Sequence, residues 1–367
     1  MLFGVISDFS LHQLHKGEML ILLSIIFLLL LFLVFTEEHL GKYKWMMYIV
    51  IGILMIACSG LRPIGFDRDS PNYESIFLHP DTEPMEHFVE PMFMALCRVV
   101  YLFSSDIHVL LFIIAFVAVI IKFYAIRQLT PLFFLPLIIY FGNFFLLHEV
   151  TQIRAGIVSG LFLLAIKPLS EGKKLLPLCL LLLGATFHFS ALALLPLLLL
   201  GNKPISPKTK IVMSCLVPLC FVLYALDLDL LSSLPVPFVT EKLETYRMVS
   251  EFGNVEKESI LSPFPLIKMV VFLYFLYFSD TIGHYVPSIH LIIKILGCSL
   301  LIYFAFSSVK IISTRFSELY GVVEIVAYPC IMFTVKPDYV GKILVCAISV
   351  IEIYFNVVQW GFFDFAV

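Results

Sequence analysis

Apolar residues in this chain run in long unbroken stretches separated by short polar punctuation, and the stretches predict its elements. They cover roughly 18–36, 43–60, 106–126, 131–147, 150–169, 174–187, 189–200, 210–227, 264–279, 289–306, 311–335 and 339–358. Several reach the roughly 17–20 residues with which a helix crosses a hydrocarbon core of about 30 Å. A membrane β-barrel would alternate apolar and polar positions, which these runs do not. The pattern therefore predicts an all-α, polytopic transmembrane bundle of about 11–12 spans. The stretch 174–200 is too long for one ordinary span. It carries Pro177 and a polar break at Thr186–His188, so two short helices are expected there. The first run, Met19 to Phe35, ends at Glu37–Glu38 without a small-residue cleavage site and is expected to be a retained helix.

Composition excludes whole classes. Of 367 residues, 60% are apolar and 14% charged, and the mean hydropathy is +1.01. An ordinary soluble domain is about 45–50% apolar and about 25% charged. Too little polar side chain is present to cover a soluble fold, and disorder requires a chain poor in hydrophobics. A net charge of −3 offers no basic patch for nucleic acid. The eight cysteines are scattered through apolar runs without a CxxC pair, so they read as small apolar core residues and not as a disulfide frame or zinc site. No cofactor is expected.

Orientation follows from where Lys and Arg gather. Gly41–Lys44, Lys122–Arg127, Lys167–Lys174 and Gly201–Lys210 are rich in Lys or Arg and nearly free of acids, which assigns them to the cytoplasm. The acidic 61–88 stretch and the mixed 228–262 loop then lie outside, provided that 88–103 does not cross. That segment, with Glu90, Pro91 and Arg98, reads as an amphipathic helix lying at the outer interface. The expected organisation is one integral-membrane domain, 1–367, with an outer loop and interfacial helix over 61–105 and a second outer loop over 228–262. Arg62, Asp67, Asp69, His148, Arg154, His188 and Arg315 would all fall at the outer face.

Charged side chains at membrane depth cost about 2.5–3.5 kcal/mol each, so each needs a partner or a task. In Arg62-Pro-Ile-Gly-Phe-Asp67-Arg68-Asp69-Ser-Pro-Asn-Tyr73 the glycine and prolines permit a sharp turn at the membrane mouth. Two readings stand: a phosphate-binding Arg with a carboxylate that orients or deprotonates a hydroxyl, or a lipid-facing Arg62 beside an Asp67 that caps a helix. In His148-Glu-Val-Thr-Gln152-Ile-Arg154-Ala-Gly156-Ile-Val-Ser-Gly160, Gly156 and Gly160 form a small-residue packing face beside Arg154. His188 sits at the break between two apolar half-spans. Arg315 and Glu318 are spaced to share one helix face, with Tyr320 beyond them. Glu324 and Tyr328 read as polar packing groups, and Lys268 and Lys294, near span ends, as side chains reaching toward the headgroups. Arginine's forked, permanent charge suits phosphate oxygens, so Arg62, Arg154 and Arg315 together suggest a membrane enzyme that handles a lipid pyrophosphate.

Arg62-x-x-x-Gly-x-Asp67 followed by Tyr73, then Glu90-Pro91, resembles the first outer loop of the EpsG-type polysaccharide polymerases. Gln152-Ile-Arg154-Ala-Gly156, Phe187-His188-Phe-Ser190-Ala191, and Arg315 with Tyr320 continue the resemblance in order over roughly 60–330. The resemblance implies a Wzy-like, metal-independent, inverting polymerase of GT-C-like architecture. Such an enzyme joins repeat units of O-antigen, capsule or exopolysaccharide carried on undecaprenyl pyrophosphate, at the outer face of the bacterial inner membrane, with a chain-length co-polymerase as a common partner. Arg62, Arg154 and Arg315 would hold the pyrophosphate; Asp67, Asp69 or His188 would take the acceptor's proton; and Tyr73, Glu90, Gln152, Glu318 and Tyr320 would contact substrate. An O-antigen ligase or other lipid-linked-sugar glycosyltransferase, a lipid-linked oligosaccharide flippase, and a membrane acyltransferase, for which His12 and His15 lack a convincing context, are the alternatives.

Overall fold

The first two helices show how the apolar runs become structure. α1 (Lys16–Thr36) and α2 (Lys44–Gly60) are joined by a tight turn in which Gly41, at φ +47°, takes a left-handed conformation that a side chain would strain. In a computed structural model, which describes residues 15–79, 89–226, 263–306, 310–359, 361 and 363, the described chain is helical, with one isolated antiparallel bridge between Asp67 and Phe363. Seven helical stretches among the described residues are long and apolar enough to cross a membrane: Lys16–Gly60, Ile107–Leu129, Phe134–Thr151, Ile153–Ser170, Pro265–Gly283, Ser313–Phe333 and Asp338–Val358. Shorter apolar helices accompany them. The protein is a multi-pass helical membrane protein. The expected second outer loop, 228–262, lies outside the described residues, as does 80–88 of the first.

The fold has two compact units, Met1–Leu198 with Tyr328–Val367, and Leu199–Ala327. In the first, α3 (Ser70–Leu78) and α4 (Pro91–Tyr101) precede α5 (Ile107–Leu129), which packs between α2 and α7 (Ile153–Ser170). Lipid offers no hydrophobic drive for helices to associate, so close packing and interhelical hydrogen bonds must supply it. The Tyr48 hydroxyl donates to the Phe123 carbonyl at 2.8 Å, a bond worth about 0.6–2 kcal/mol in such surroundings. Gly52 admits the edge of the Phe123 ring, and Gly160 lies against Ile121 and the Ala118 carbonyl.

α4 buries Phe93, Met94, Cys97 and Val100 against α3 and α5, while Met92, Val99 and Tyr101 stay exposed. The exposed side also carries Arg98, so the helix is amphipathic, which suits a helix lying at a lipid interface. α6 (Phe134–Ile139) runs on as a π-helix over Tyr140–Thr151, every residue of it buried. α8 (Leu175–Phe187) ends where expected, at His188, whose backbone is extended, and a 3-10 helix follows over Phe189–Leu199. α13 (Asp338–Tyr354) returns against α6, where the Ser349 hydroxyl donates to the Ile138 carbonyl at 2.7 Å.

The second unit contains α9 (Pro207–Ala225), α10 (Pro263–Gly283), α11 (Ile289–Ala305) and α12 (Lys310–Gly321). The Ser299 hydroxyl donates to the Ser317 carbonyl at 2.7 Å and ties α11 to α12. Two expectations change here. Lys268 does not reach out to headgroups but pairs with the buried Glu324 at 2.9 Å, because a neighbouring carboxylate satisfies the ammonium inside the unit. Lys294 instead donates to the Gly201 and Lys203 carbonyls, at 2.6 and 2.9 Å.

Candidate functional site

The turn after α2 is built around Asp67. Gly65, at φ +79°, reverses the backbone and donates its N–H to Ser70 Oγ at 3.0 Å. Asp67 Oδ1 accepts from the Asp69 and Ser70 N–H groups at 3.0 and 2.9 Å, satisfying donors left open at the start of α3. Its Oδ2 accepts from Arg62 Nε at 2.9 Å. Arg62 is completely buried and also donates through Nη1 to the Ser59 carbonyl at 2.7 Å. The His108 ring lies between the Arg62 carbonyl, 3.1 Å from Nε2, and Asp106 Oδ1, 2.8 Å from Nδ1. Phe66 stacks on Phe363 with ring centres 4.6 Å apart. Of the two readings open for Asp67, the geometry serves the capping one, because both carboxylate oxygens are already engaged. Arg62 does not face the lipid as that same reading had it; it is fully buried, with only Nη2 lacking a hydrogen-bond partner. Asp69 is half-buried at the mouth of α3.

A second cluster centres on Glu90. Pro91 opens α4 with its φ already helical and no N–H to satisfy, which leaves Glu90 extended as the residue before it. Glu90 Oε2 accepts from Arg154 Nη1 at 2.6 Å, and Oε1 accepts from His188 Nδ1 at 2.6 Å and from the Phe189 N–H at 3.2 Å. A carboxylate can only accept here, so the proton sits on His188 Nδ1. His188 Nε2 makes no hydrogen bond among the described residues, and the side chain is about a quarter exposed. Burial pushes the Glu90 carboxyl up, but the hydrogen bond from His188 and the charge of Arg154 outweigh it and hold the carboxyl down at about 2. The Arg154 guanidinium lies over the Tyr73 and Phe93 rings, 5.7 and 5.5 Å from their centres, with Nε buried and unpartnered. Burial, with Asp69's charge adding to it, pushes the Tyr73 phenol up to about 12, so it stays a donor at neutral pH.

Chemically this arrangement has two halves. A carboxylate that fixes an imidazole through Nδ1 leaves Nε2 as a base of defined tautomer. A partly exposed guanidinium beside it can hold an anion. Glu90, expected as a substrate contact, accepts from both Arg154 and His188 through its two carboxylate oxygens.

Sequence reasoning missed the ion pair behind this cluster. By the gathering of Lys and Arg, Lys122 is expected in the cytoplasmic stretch Lys122–Arg127. It is instead fully buried in α5 and donates to Glu149 Oε1 and, at 2.7 Å, to the Gly156 carbonyl. The signal was available: Lys122 lies about two turns inside the end of α5, and Glu149 is an unmatched acid in the neighbouring run. Gln152 is half-buried at the junction of the π-helix with α7, and its N–H donates to the Leu147 carbonyl at 2.7 Å. Arg315, exposed, Glu318, half-buried, and Tyr320, buried, lie on α12 in the second unit. Among the described residues, no group of three or more His, Cys, Asp or Glu is arranged to hold a metal ion.

No curated protein and no solved structure gives a significant match to this chain. The model of the EpsG family matches residues 44–365, a segment that contains the Arg62–Asp67 turn, the Glu90 cluster and Arg315. The chain thus belongs to the EpsG family, a family of Wzy-like polysaccharide polymerases.

Proposed function

We propose that this protein joins oligosaccharide repeat units carried on undecaprenyl pyrophosphate into a surface polysaccharide, with Glu90, His188 and Arg154 as its reaction centre. The observation that carries this reading is the single carboxylate of Glu90 holding both the imidazole and the guanidinium at 2.6 Å. In the reaction, a hydroxyl of the acceptor repeat unit attacks the anomeric carbon of the donor sugar. The bond from that carbon to the pyrophosphate oxygen breaks, and its electron pair leaves with the lipid pyrophosphate. His188 Nε2 takes the hydroxyl proton. Arg154 meets the charge growing on the leaving group, where a preorganised donor acts most strongly. Direct displacement of this kind inverts the anomeric configuration and calls for no metal.

Tyr73 supplies a hydroxyl donor beside Arg154 for a sugar or phosphate oxygen. Gln152 is carried forward as a substrate contact from its place at the head of α7. Arg315, with its exposed guanidinium, is carried forward as a further pyrophosphate-binding group, with Glu318 and Tyr320 as substrate contacts. Asp67 and Arg62 serve by shaping the turn. The site would face the exterior of the inner membrane, and a chain-length co-polymerase would act as partner.

The test uses purified protein in lipid nanodiscs with lipid-linked oligosaccharide extracted from cells lacking this protein. A ladder of polymer on a gel is expected, lost in both His188→Ala and Arg154→Ala. Transfer of the glycan to a different lipid, without a ladder, would replace polymerase by ligase. Movement of the intact lipid across the bilayer without transfer would replace it by transporter.

A further inference from the structure

The two parts of the site region are joined through one buried ammonium. Lys122 Nζ has two arms. One goes to Glu149, whose backbone carbonyl accepts from the Ser59 hydroxyl at 2.6 Å. The Ser59 carbonyl in turn accepts from Arg62, which pairs with Asp67. The other arm goes to the Gly156 carbonyl, in the first turn of α7, two residues beyond Arg154. From Arg154 the chain of contacts continues to Glu90 and His188. The π-helix before α7 has wider turns than an α-helix: the Gln152 N–H donates to the Leu147 carbonyl, and the Thr151 hydroxyl to the Leu146 carbonyl, each five residues back. The junction is also crowded. A Cβ on Gly156 would lie 2.9 Å from the His148 carbonyl oxygen, so helix and π-segment meet backbone to backbone.

We infer that Lys122 is a positioning residue for the reaction centre, its hold on the Gly156 carbonyl fixing the start of α7 and hence the reach of Arg154 to Glu90. Glu149 acts as the counter-charge that lets an ammonium sit at this depth. The inference rests on the reading of Glu90, His188 and Arg154 given above.

Lys122→Met by itself strands the Glu149 carboxylate in the interior and is expected to fold poorly. The Lys122→Met/Glu149→Gln double variant removes both charges at nearly constant volume and is expected to recover a monodisperse, thermally stable protein. Positioning predicts that the fold returns without the rate. In the double variant, kcat for release of lipid pyrophosphate from extracted lipid-linked oligosaccharide falls about 10- to 100-fold with KM nearly unchanged, because a misplacement of about 1 Å suffices for such a loss. Glu149→Gln alone likewise strands the buried Lys122 ammonium and is expected to fold poorly, so the double variant carries the test. A folded double variant with wild-type kcat overturns the inference, as does a loss carried by KM with kcat unchanged. If His188→Ala is inactive while the double variant is fully active, only the role of Lys122 is lost. If His188→Ala turns over like wild type, the reaction-centre reading fails and this inference with it.

Discussion

Glu90 Oε1 accepts a hydrogen bond from His188 Nδ1 at 2.6 Å across 98 residues of chain. The bond couples the residue that opens α4 to the break at which α8 ends, and it fixes the imidazole tautomer. Removing the charge while keeping the shape is the sharpest test of that coupling. Glu90→Gln should cut turnover by about 100-fold or more, the usual scale for an oriented acid–base group, with protein yield retained. Lipid-pyrophosphate release measured at saturating substrate would show it.

The same carboxyl gives a pH signature. Its folded value of about 2 lies below the ordinary 4.5, so the pairing stabilises the fold above pH 4.5 and that contribution is lost as pH falls toward 2. Thermal unfolding midpoints in detergent should drop across this window in the wild type, and Glu90→Gln should lack that part of the drop. Parallel curves would remove Glu90 as the group responsible.

Arg154 offers a fork where lysine offers a point charge. Arg154→Lys should therefore keep an ion pair with Glu90 yet lose about 100-fold in kcat, while Arg154→Ala loses more. Turnover of Arg154→Lys near that of wild type would mean that charge alone suffices there.

Asp67 is expected to matter for stability. It holds the fully buried Arg62 and caps α3 at once. Asp67→Ala leaves an unpaired guanidinium inside the protein and should cost about 3–5 kcal/mol. Asp67→Asn keeps an acceptor for the α3 amides and should cost less. Unfolding midpoints and yields in detergent would separate the two. An Asp67→Asn variant that folds like wild type but is inactive would return Asp67 to the chemistry.

Gly156 tests the junction from the backbone side. Gly156→Ala places a Cβ 2.9 Å from the His148 carbonyl oxygen, where only backbone movement relieves the clash. A loss of about 1–3 kcal/mol in stability is expected. A lower kcat is expected with it, read by the same release assay.

Much of this protein was legible one segment at a time. Local hydrophobicity decides whether a segment enters the membrane, so the spans, the break at His188 and the helix after Pro91 follow from runs and prolines alone. Residue types supplied the candidates too, since a lone Arg154 or His188 in an apolar run must have a partner or a task. Which partner was beyond the sequence. Glu90 meets His188 across 98 residues, Arg154 across 64, and Glu149 meets Lys122 across 27. Lys122 shows the reason most plainly. Positive charge near the end of a run reads as a cytoplasmic anchor, because a solvated lysine is the rule. Only the packing of α5 against the π-helix brings a carboxylate close enough to keep that charge inside. Asp67 shows the complement: its sequence offers a base or a cap, and a local turn brings Arg62, five residues back, and the amides two and three residues on onto its oxygens. Helix identity is a short-range property of the chain in its solvent, whereas the pairing of Lys122, Arg154 and His188 with their carboxylates is a long-range one, decided only when distant helices pack together.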